Sequence, residues 1–308
     1  MRLVAIAPPS FEPLDALRRE APEIEIVASE DLQKLHAEIP GAEVVLLAPR
    51  HGRLLTDLWR DLSVTKWIHA LGAGVEALPF DLLRRSEIIV TNSRGLYADA
   101  LGEFAIAGML WFAKDLRRLV RNQDARRWER LDVERLEGKT VGVIGYGGIG
   151  QAVGRRATAL GMRVISVRRQ QEFGDATIDD VIAEADYLVL STPLTPATFH
   201  LLNRERIAAM RPEAVVINVS RGKIADEKAL IEALEAKKIR GAALDVFETE
   251  PLPADSPLWA LENVLISPHS ADHTPDSHQR VMTFFIENLR RYQRGESLEN
   301  VVDKEQGY

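Results

Sequence analysis

The sequence predicts an α/β protein of two domains, each a parallel β-sheet covered by helices. Three observations predict it. The chain has 308 residues, beyond the ~250–300 at which a single core tends to split in two. Short apolar runs bounded by turn residues alternate with helical patterns, the mark of strands joined by crossover helices. The runs are continuously apolar rather than alternating, as expected of strands buried on both faces.

In chain order, Leu3–Ala7, Val44–Ala48, Trp67–Ala70 and Ile88–Thr91 read as strands. Val141–Ile144, Arg163–Val167, Tyr187–Leu190, Val215–Val219, Ala242–Leu244 and Val264–Ile266 follow. Helical patterns at Gln151–Leu160, Arg204–Met210 and Glu227–Lys237 fall between the later strands. A long helical pattern from Asp99 to Val120 is apolar on nearly every side between Phe104 and Phe112. Such a helix belongs in a core or at a subunit interface. The last helix, Pro275 to Tyr292, places Val281, Phe284, Phe285 and Leu289 on one stripe and starts at a proline, which suits a first turn. The change of pattern near residue 97 marks a domain boundary.

Composition narrows the function classes. The net charge of −7 gives no general attraction for phosphate backbones, so nucleic acid is not an expected partner. The chain has no cysteine, which removes disulfide frameworks, thiolate metal sites and cysteine nucleophiles and fits a cytoplasmic protein. Arg2–Ala7, followed by two prolines, is too short for a signal-peptide core and reads as a first strand. The longest apolar run, Phe104–Ala113, falls far below the ~20 residues of a membrane helix.

The most informative segment is Gly145-Tyr146-Gly147-Gly148-Ile149-Gly150. It fills the G-x-G-x-x-G spacing, follows an apolar strand and opens a helical pattern, with a further strand at Arg163. That is the context a dinucleotide-binding turn requires. Gly145 permits the tight turn, Gly147 lets backbone approach a pyrophosphate, and Gly150 lets helix and strand pack closely. The helix N-terminus then offers free N–H groups to the phosphates. An NAD site expects an acid ~20 residues on, at the end of the next strand. That strand ends in Arg168 and Arg169, and guanidinium groups suit a 2′-phosphate. NADP(H) is therefore expected over NAD(H).

Four later strands end in polar residues: Ser191-Thr192-Pro193-Leu-Thr195, Asn218-Val219-Ser220-Arg221-Gly222, Asp245-Val-Phe-Glu-Thr-Glu250 and Ser267-Pro-His269. In an open parallel sheet ligands bind at the carboxyl ends of strands. An arginine, a glutamate and a histidine delivered there form a carbonyl-reduction set. The arginine binds a carboxylate, the histidine donates a proton, and the glutamate fixes the imidazole and raises its pKa.

From about Leu71 onward, and most closely from Gly138 to His269, the chain resembles the D-isomer-specific 2-hydroxyacid dehydrogenases. The resemblance is carried by Leu136-Glu-Gly-Lys-Thr-Val-Gly142 with the glycine turn, Gly161-Met-Arg-Val164, Pro193-Leu-Thr195, Asn218-Val-Ser-Arg221-Gly222, Leu244-Asp-Val-Phe-Glu-Thr-Glu250-Pro251 and Ser267-Pro-His269. It implies that Arg221 binds substrate carboxylate and carbonyl, that His269 is the acid–base residue, and that Glu250 is its partner. It implies a substrate-carboxylate loop at Leu71-Gly72-Ala73-Gly74, a nicotinamide contact at Asp245, and cofactor-lining segments around Thr192, Pro193, Thr195, Val219, Ser220 and His269. It implies a homodimer through the helix around Leu101–Val120; no metal is expected, on separate grounds. The expected architecture is two Rossmann-like domains with a cleft between them. A flavodoxin-like substrate domain comprises residues 1–96 plus 276–308, and an NAD(P)-binding Rossmann domain comprises 97–275. The expected reaction is reduction of a small 2-oxo acid of the glyoxylate or hydroxypyruvate type.

The chain departs from the family at Arg168, where an Asp is usual, and at Ser270-Ala-Asp272-His273, where small glycine-rich residues are usual. His269 and His273 could suggest a metal site, but Pro268 and Pro275 leave no helix to align them. Trp128 reads equally as a site residue or as core. His51 and Arg53 read as solvated loop residues. The rivals are another oxidation on the same fold (phosphoglycerate, phosphite or formate) and a dinucleotide-sensing corepressor-like binding protein. Glu250 argues against formate, and an intact Arg–Glu–His set against pure sensing.

Overall fold

The computed structural model describes residues 1–167 and 177–308. The chain divides into two compact units, residues 1–97 with 275–308, and residues 98–274.

In the first unit, β1 (Arg2–Ile6), β2 (Glu25–Ser29), β3 (Val44–Leu47), β4 (Trp67–Ala70) and β5 (Ile89–Asn92) form a parallel sheet in the order β2-β1-β3-β4-β5. This is the flavodoxin-like order, whose connections reverse between β1 and β3. β1, β3 and β4 are buried along nearly their whole length, because helices cover both faces, among them α1 (Pro13–Glu20), α2 (Leu32–Glu38), α3 (Leu54–Asp57) and α4 (Phe80–Leu83). The C-terminal helix Ser277–Gln293 lays Val281, Phe285 and Leu289 into a core with Leu3, Leu14, Leu46 and Trp67. β2 has no counterpart among the strands expected from the sequence. It is an edge strand, exposed at Glu25, half-buried at Ile26 and Val27 and buried at Ala28 and Ser29, so it lacks the longer apolar run of its central neighbours.

In the second unit, the helices α5 (Ala98–Ala113) and α6 (Leu116–Asp124) precede β6 (Thr140–Ile144), α7 (Gly148–Ala159), β7 (Arg163–Val167), α8 (Ile178–Glu184) and β8 (Tyr187–Leu190). After these come α9 (Arg204–Ala208), β9 (Val215–Asn218), α10 (Glu227–Glu235), β10 (Gly241–Leu244) and β11 (Val264–Ile266). The strands pair in parallel in the order β11-β10-β9-β8-β6-β7. The winding reverses between β6 and β8, which is where an open sheet of this kind offers its ligand crevice.

The single helix expected from Asp99 to Val120 is two. Asp115, at φ +46 in the left-handed region, breaks it between α5 and α6. Nor is α5 buried all round. Leu101, Ala105, Met109 and Phe112 are buried, and Gly102 and Gly108 bring the helix close to Ala152 and Ala243. Phe104, Ile106, Leu110 and Trp111 remain half-buried. Among the described residues no helix is long and apolar enough to cross a membrane.

Candidate active site

At the switch between β6 and β8 the glycine turn is dictated by space. Gly145 has φ +96, and a Cβ there would lie 2.7 Å from the Thr192 nitrogen and 2.8 Å from the Ser191 carbonyl carbon. The Ser191 hydroxyl donates to the Gly145 carbonyl at 2.9 Å, tying the two strand ends together. Gly150 packs on the Gly145 oxygen, 2.4 Å from where its own Cβ would stand. Gly147 caps α7 and has nothing within 4 Å of an added Cβ; Gly147 and Gly148 are exposed. The open side of the turn therefore faces free backbone at a helix N-terminus, which fits a dinucleotide pyrophosphate. Tyr146 lies over α7 at Gly154, and Ile149 is half-buried. Thr195 and Pro193 sit in a turn held by Thr198, whose Oγ donates to the Pro193 carbonyl and accepts from the Thr195 N–H. Arg168 and Arg169 lie outside the described residues.

At the end of β9, Asn218 organises the turn that carries Arg221. Its side chain accepts from the N–H and hydroxyl of Ser220 and donates to the Arg221 carbonyl. Val219 is buried. Arg221, half-buried, donates to the Ser220 carbonyl at 2.7 Å. Gly222 follows against the peptide of Phe247 and Glu248. A Cβ there would lie 1.9 Å from the Phe247 carbonyl carbon.

At the ends of β10 and β11, Asp245 holds the histidine loop. Its Oδ1 accepts from Ser267 Oγ (2.6 Å) and from the N–H groups of Ser270 and Ala271. Its carbonyl accepts from the His269 N–H at 2.8 Å. Burial pushes the Asp245 carboxyl above the usual carboxylate range, against these hydrogen bonds. His269 sits at φ +53, a conformation uncommon outside glycine.

His269 Nδ1 lies 2.7 Å from Glu250 Oε2, and Glu250 Oε1 accepts from the Phe247 N–H at 3.1 Å. An ionised carboxylate only accepts, so Nδ1 carries the proton of that bond and the Glu250 contact leaves Nε2 uninvolved. The Glu250 hydrogen bond raises the His269 pKa above the ordinary imidazole value. Burial and the Arg221 charge oppose it, and Asp245 assists. Arg221, Glu250 and His269, far apart in sequence, thus meet in one electrostatic neighbourhood.

In the first unit, the carbonyls of Leu71, Gly72 and Ala73 accept from Tyr97 Oη (2.7 Å), the Ser93 N–H (3.2 Å) and Asn92 Nδ2 (2.7 Å). In a trans peptide the N–H points opposite its carbonyl. The amides of Gly72, Ala73 and Gly74 are therefore turned away from those partners.

Other expectations fall differently. Trp128 is 97% exposed, so it is not core within this chain. His273 is exposed, 3.7 Å from Asp272, and forms no ligand group with His269 among the described residues. His200, Asp226 and Glu248 do converge, a trio missed because its members are 22 or more positions apart or pair across a helix start. Ser191 and Asn218 stand among the polar strand ends named from the sequence, but their roles in tying the glycine turn and shaping the turn of Arg221 were not assigned there.

Fold and turn together define a dinucleotide-binding α/β protein. The model of the D-isomer-specific 2-hydroxyacid dehydrogenase NAD-binding domain matches residues 106–271. The D-3-phosphoglycerate dehydrogenase of Methanocaldococcus jannaschii is 34% identical over 97% of this chain, which spans 59% of that relative's length. The glyoxylate reductase of Korarchaeum cryptofilum is 36% identical over 71% of this chain and 70% of its own. A D-isomer-specific 2-hydroxyacid dehydrogenase of Xanthobacter autotrophicus, solved with NADPH, has a TM-score of 0.83 at 30% identity, covering 100% of this chain and 99% of that one. The chain belongs to the D-isomer-specific 2-hydroxyacid dehydrogenase family.

Proposed function

We propose that this chain is a cytoplasmic, NADP(H)-preferring reductase of a small 2-oxo acid of the glyoxylate or hydroxypyruvate type. The observation that carries the reading is the His269–Glu250 pair, 2.7 Å apart, in the field of Arg221. The nicotinamide, when bound, supplies hydride to the keto carbon. The chain's own groups do the rest. Arg221 binds the substrate carboxylate and steadies the charge that develops on the carbonyl oxygen. His269 gives that oxygen the proton from Nε2, and Glu250 holds the imidazolium in place. The amides of the Leu71–Gly74 loop are an anchor for the substrate carboxylate. Gly145–Gly150, Thr192, Pro193, Thr195, Val219 and Ser220 would line the cofactor, and Asp245 would contact its nicotinamide. On this reading residues 1–96 with 276–308 are the substrate domain and 97–275 the cofactor domain.

The NADP(H) preference rests on Arg168 and Arg169 and the absence there of an acid that would repel a 2′-phosphate. The test is a panel of oxo acids, glyoxylate, hydroxypyruvate and phosphohydroxypyruvate included, followed by absorbance of the reduced nicotinamide. The expected result is a larger kcat/KM with NADPH than with NADH; a preference for NADH overturns the cofactor choice.

We also propose a homodimer through α5 and α6. Its support is the half-buried Phe104, Ile106, Leu110 and Trp111, whose apolar surface a second copy would remove from water. Light scattering should give twice the chain mass of 34.4 kDa. A single-chain mass at micromolar concentration would exclude the dimer.

A further inference from the structure

Behind the Glu250–His269 pair lies a second layer of carboxylates. Glu227 is the first residue of α10, after the N-cap Asp226, whose Oδ1 accepts from the Ala229 N–H at 2.9 Å. Glu227 Oε2 accepts from the Glu248 N–H at 2.9 Å. In return the Glu227 N–H donates to Glu248 Oε1 at 3.0 Å. That same oxygen is 2.8 Å from His200 Nε2. The two glutamates form a reciprocal clasp between the start of α10 and the turn 245–250. Glu250 leaves from that turn two residues later, its Oε1 held by the Phe247 N–H. Gly222, next to Arg221, supports the same peptide from below.

Three carboxylates, Glu227, Glu248 and Glu250, thus share one corner. Like charges this close disfavour one another. The positive dipole end of α10, whose Glu227 and Ala229 N–H groups donate to Glu248 and Asp226, offsets part of that cost. Glu227 registers the crowding: burial raises its pKa first, the Glu248 N–H lowers it, and the charges of Glu248 and Glu250 raise it again. Interaction between Glu227 and Glu250 is mutual, so the charge on Glu227 is felt at the pair that Glu250 makes with His269.

His200, Asp226 and Glu248 bring their ligand atoms within 4.8 Å of one another, which raises the question of a cation. Both carboxylates already accept backbone N–H groups at the start of α10, where the helix dipole repels a cation. The trio serves the clasp.

We propose that Glu227 is a positioning residue for His269: it clasps the turn that carries Glu250 and holds a negative charge behind the Glu250–His269 pair. The charged and titratable groups facing this corner are Glu248, Glu250, Asp226 and His200 around Glu227, and Arg221 and Asp245 around His269. A negative charge stabilises imidazolium, so removing it lowers the pH at which His269 loses its proton. The inference rests on the proposed reductase function only for its kinetic arm.

The experiment is a titration of the His269 ring by NMR in the full chain, with its signal assigned by loss in His269→Asn. Glu227→Gln keeps an oxygen for the Glu248 N–H and removes the charge. The His269 midpoint is expected to move to lower pH, with the alkaline limb of oxo-acid reduction moving in step. Glu227→Ala also removes the acceptor. It is expected to add a fall in kcat of about tenfold, the cost of a loosened proton donor, with the dinucleotide KM little changed. A His269 midpoint in Glu227→Gln that coincides with the unmodified protein overturns the proposal, and so does a Glu227→Ala variant with unchanged kcat. Should Glu227→Ala fail to fold, the Gln variant decides alone. Should the unmodified chain reduce no oxo acid, the proposed function fails and the His269 titration still decides the role of Glu227.

Discussion

Replacing His269 with alanine is expected to lower kcat for oxo-acid reduction by about a hundred- to ten-thousand-fold, the usual worth of a positioned proton donor. The KM for the dinucleotide should change little, because the glycine turn and its helix are untouched. The size follows from what replaces the lost group. Water would have to protonate the developing alkoxide in a site whose donor is otherwise held by Glu250 at 2.7 Å.

The same pair sets a pH dependence whose sign is determined. Glu250 raises the His269 pKa above the ordinary imidazole value, more than burial and Arg221 lower it. On the proposed roles, reduction uses the protonated ring. Its kcat/KM should therefore be flat at low pH and fall as pH rises through the raised value. Oxidation of the hydroxy acid uses the neutral ring and should show the opposite limb. Glu250→Gln removes the largest raising influence, so its limb should move to lower pH. Turnover of His269→Ala near that of the unmodified protein, or a limb in Glu250→Gln at its original place, would refute the assignment.

Gly222→Ala is expected to cost about 1–3 kcal/mol of stability, the range for forcing an extra carbon into packed surroundings, and most of the activity as well. The added Cβ would meet the Phe247 carbon at 1.9 Å, its oxygen at 2.1 Å and the Glu248 nitrogen at 2.4 Å. These are backbone atoms with no rotamer to yield, so the turn bearing Glu250 must shift. Gly147→Ala is the contrast. Nothing lies within 4 Å of its Cβ, so the unfolding midpoint should hold while dinucleotide affinity falls. Thermal unfolding and dinucleotide titration of both variants separate the effects. Equal stability losses at the two glycines would contradict the geometry.

Much of this site can be read from residue order, for identifiable reasons. β3, β4, β8 and β9 are buried throughout, and burial on both faces writes an apolar run that stands out. β2, at a sheet edge, carries no such run. The glycine turn declares itself because each glycine answers to a fixed spacing between strand and helix. Arg221, Glu250 and His269 are visible because strand ends are short and polar there. The break at Asp115 is not visible. Its left-handed backbone interrupts an apolar pattern that continues past it.

Residue order alone decided the fold class, the place of the glycine turn and the three side chains proposed to move a proton and hold a carboxylate. Strand burial, turn space and charge are local properties, so a linear string records them. Packing alone decided what holds those side chains in place. Asp245 gripping the loop of His269, Asn218 shaping the turn of Arg221, and Glu227 clasped to Glu248 are hydrogen bonds between atoms brought within about 3 Å by the fold. Such contacts depend on the register of one strand end against another and the start of one helix against a turn. Those relations exist only once the sheet has formed.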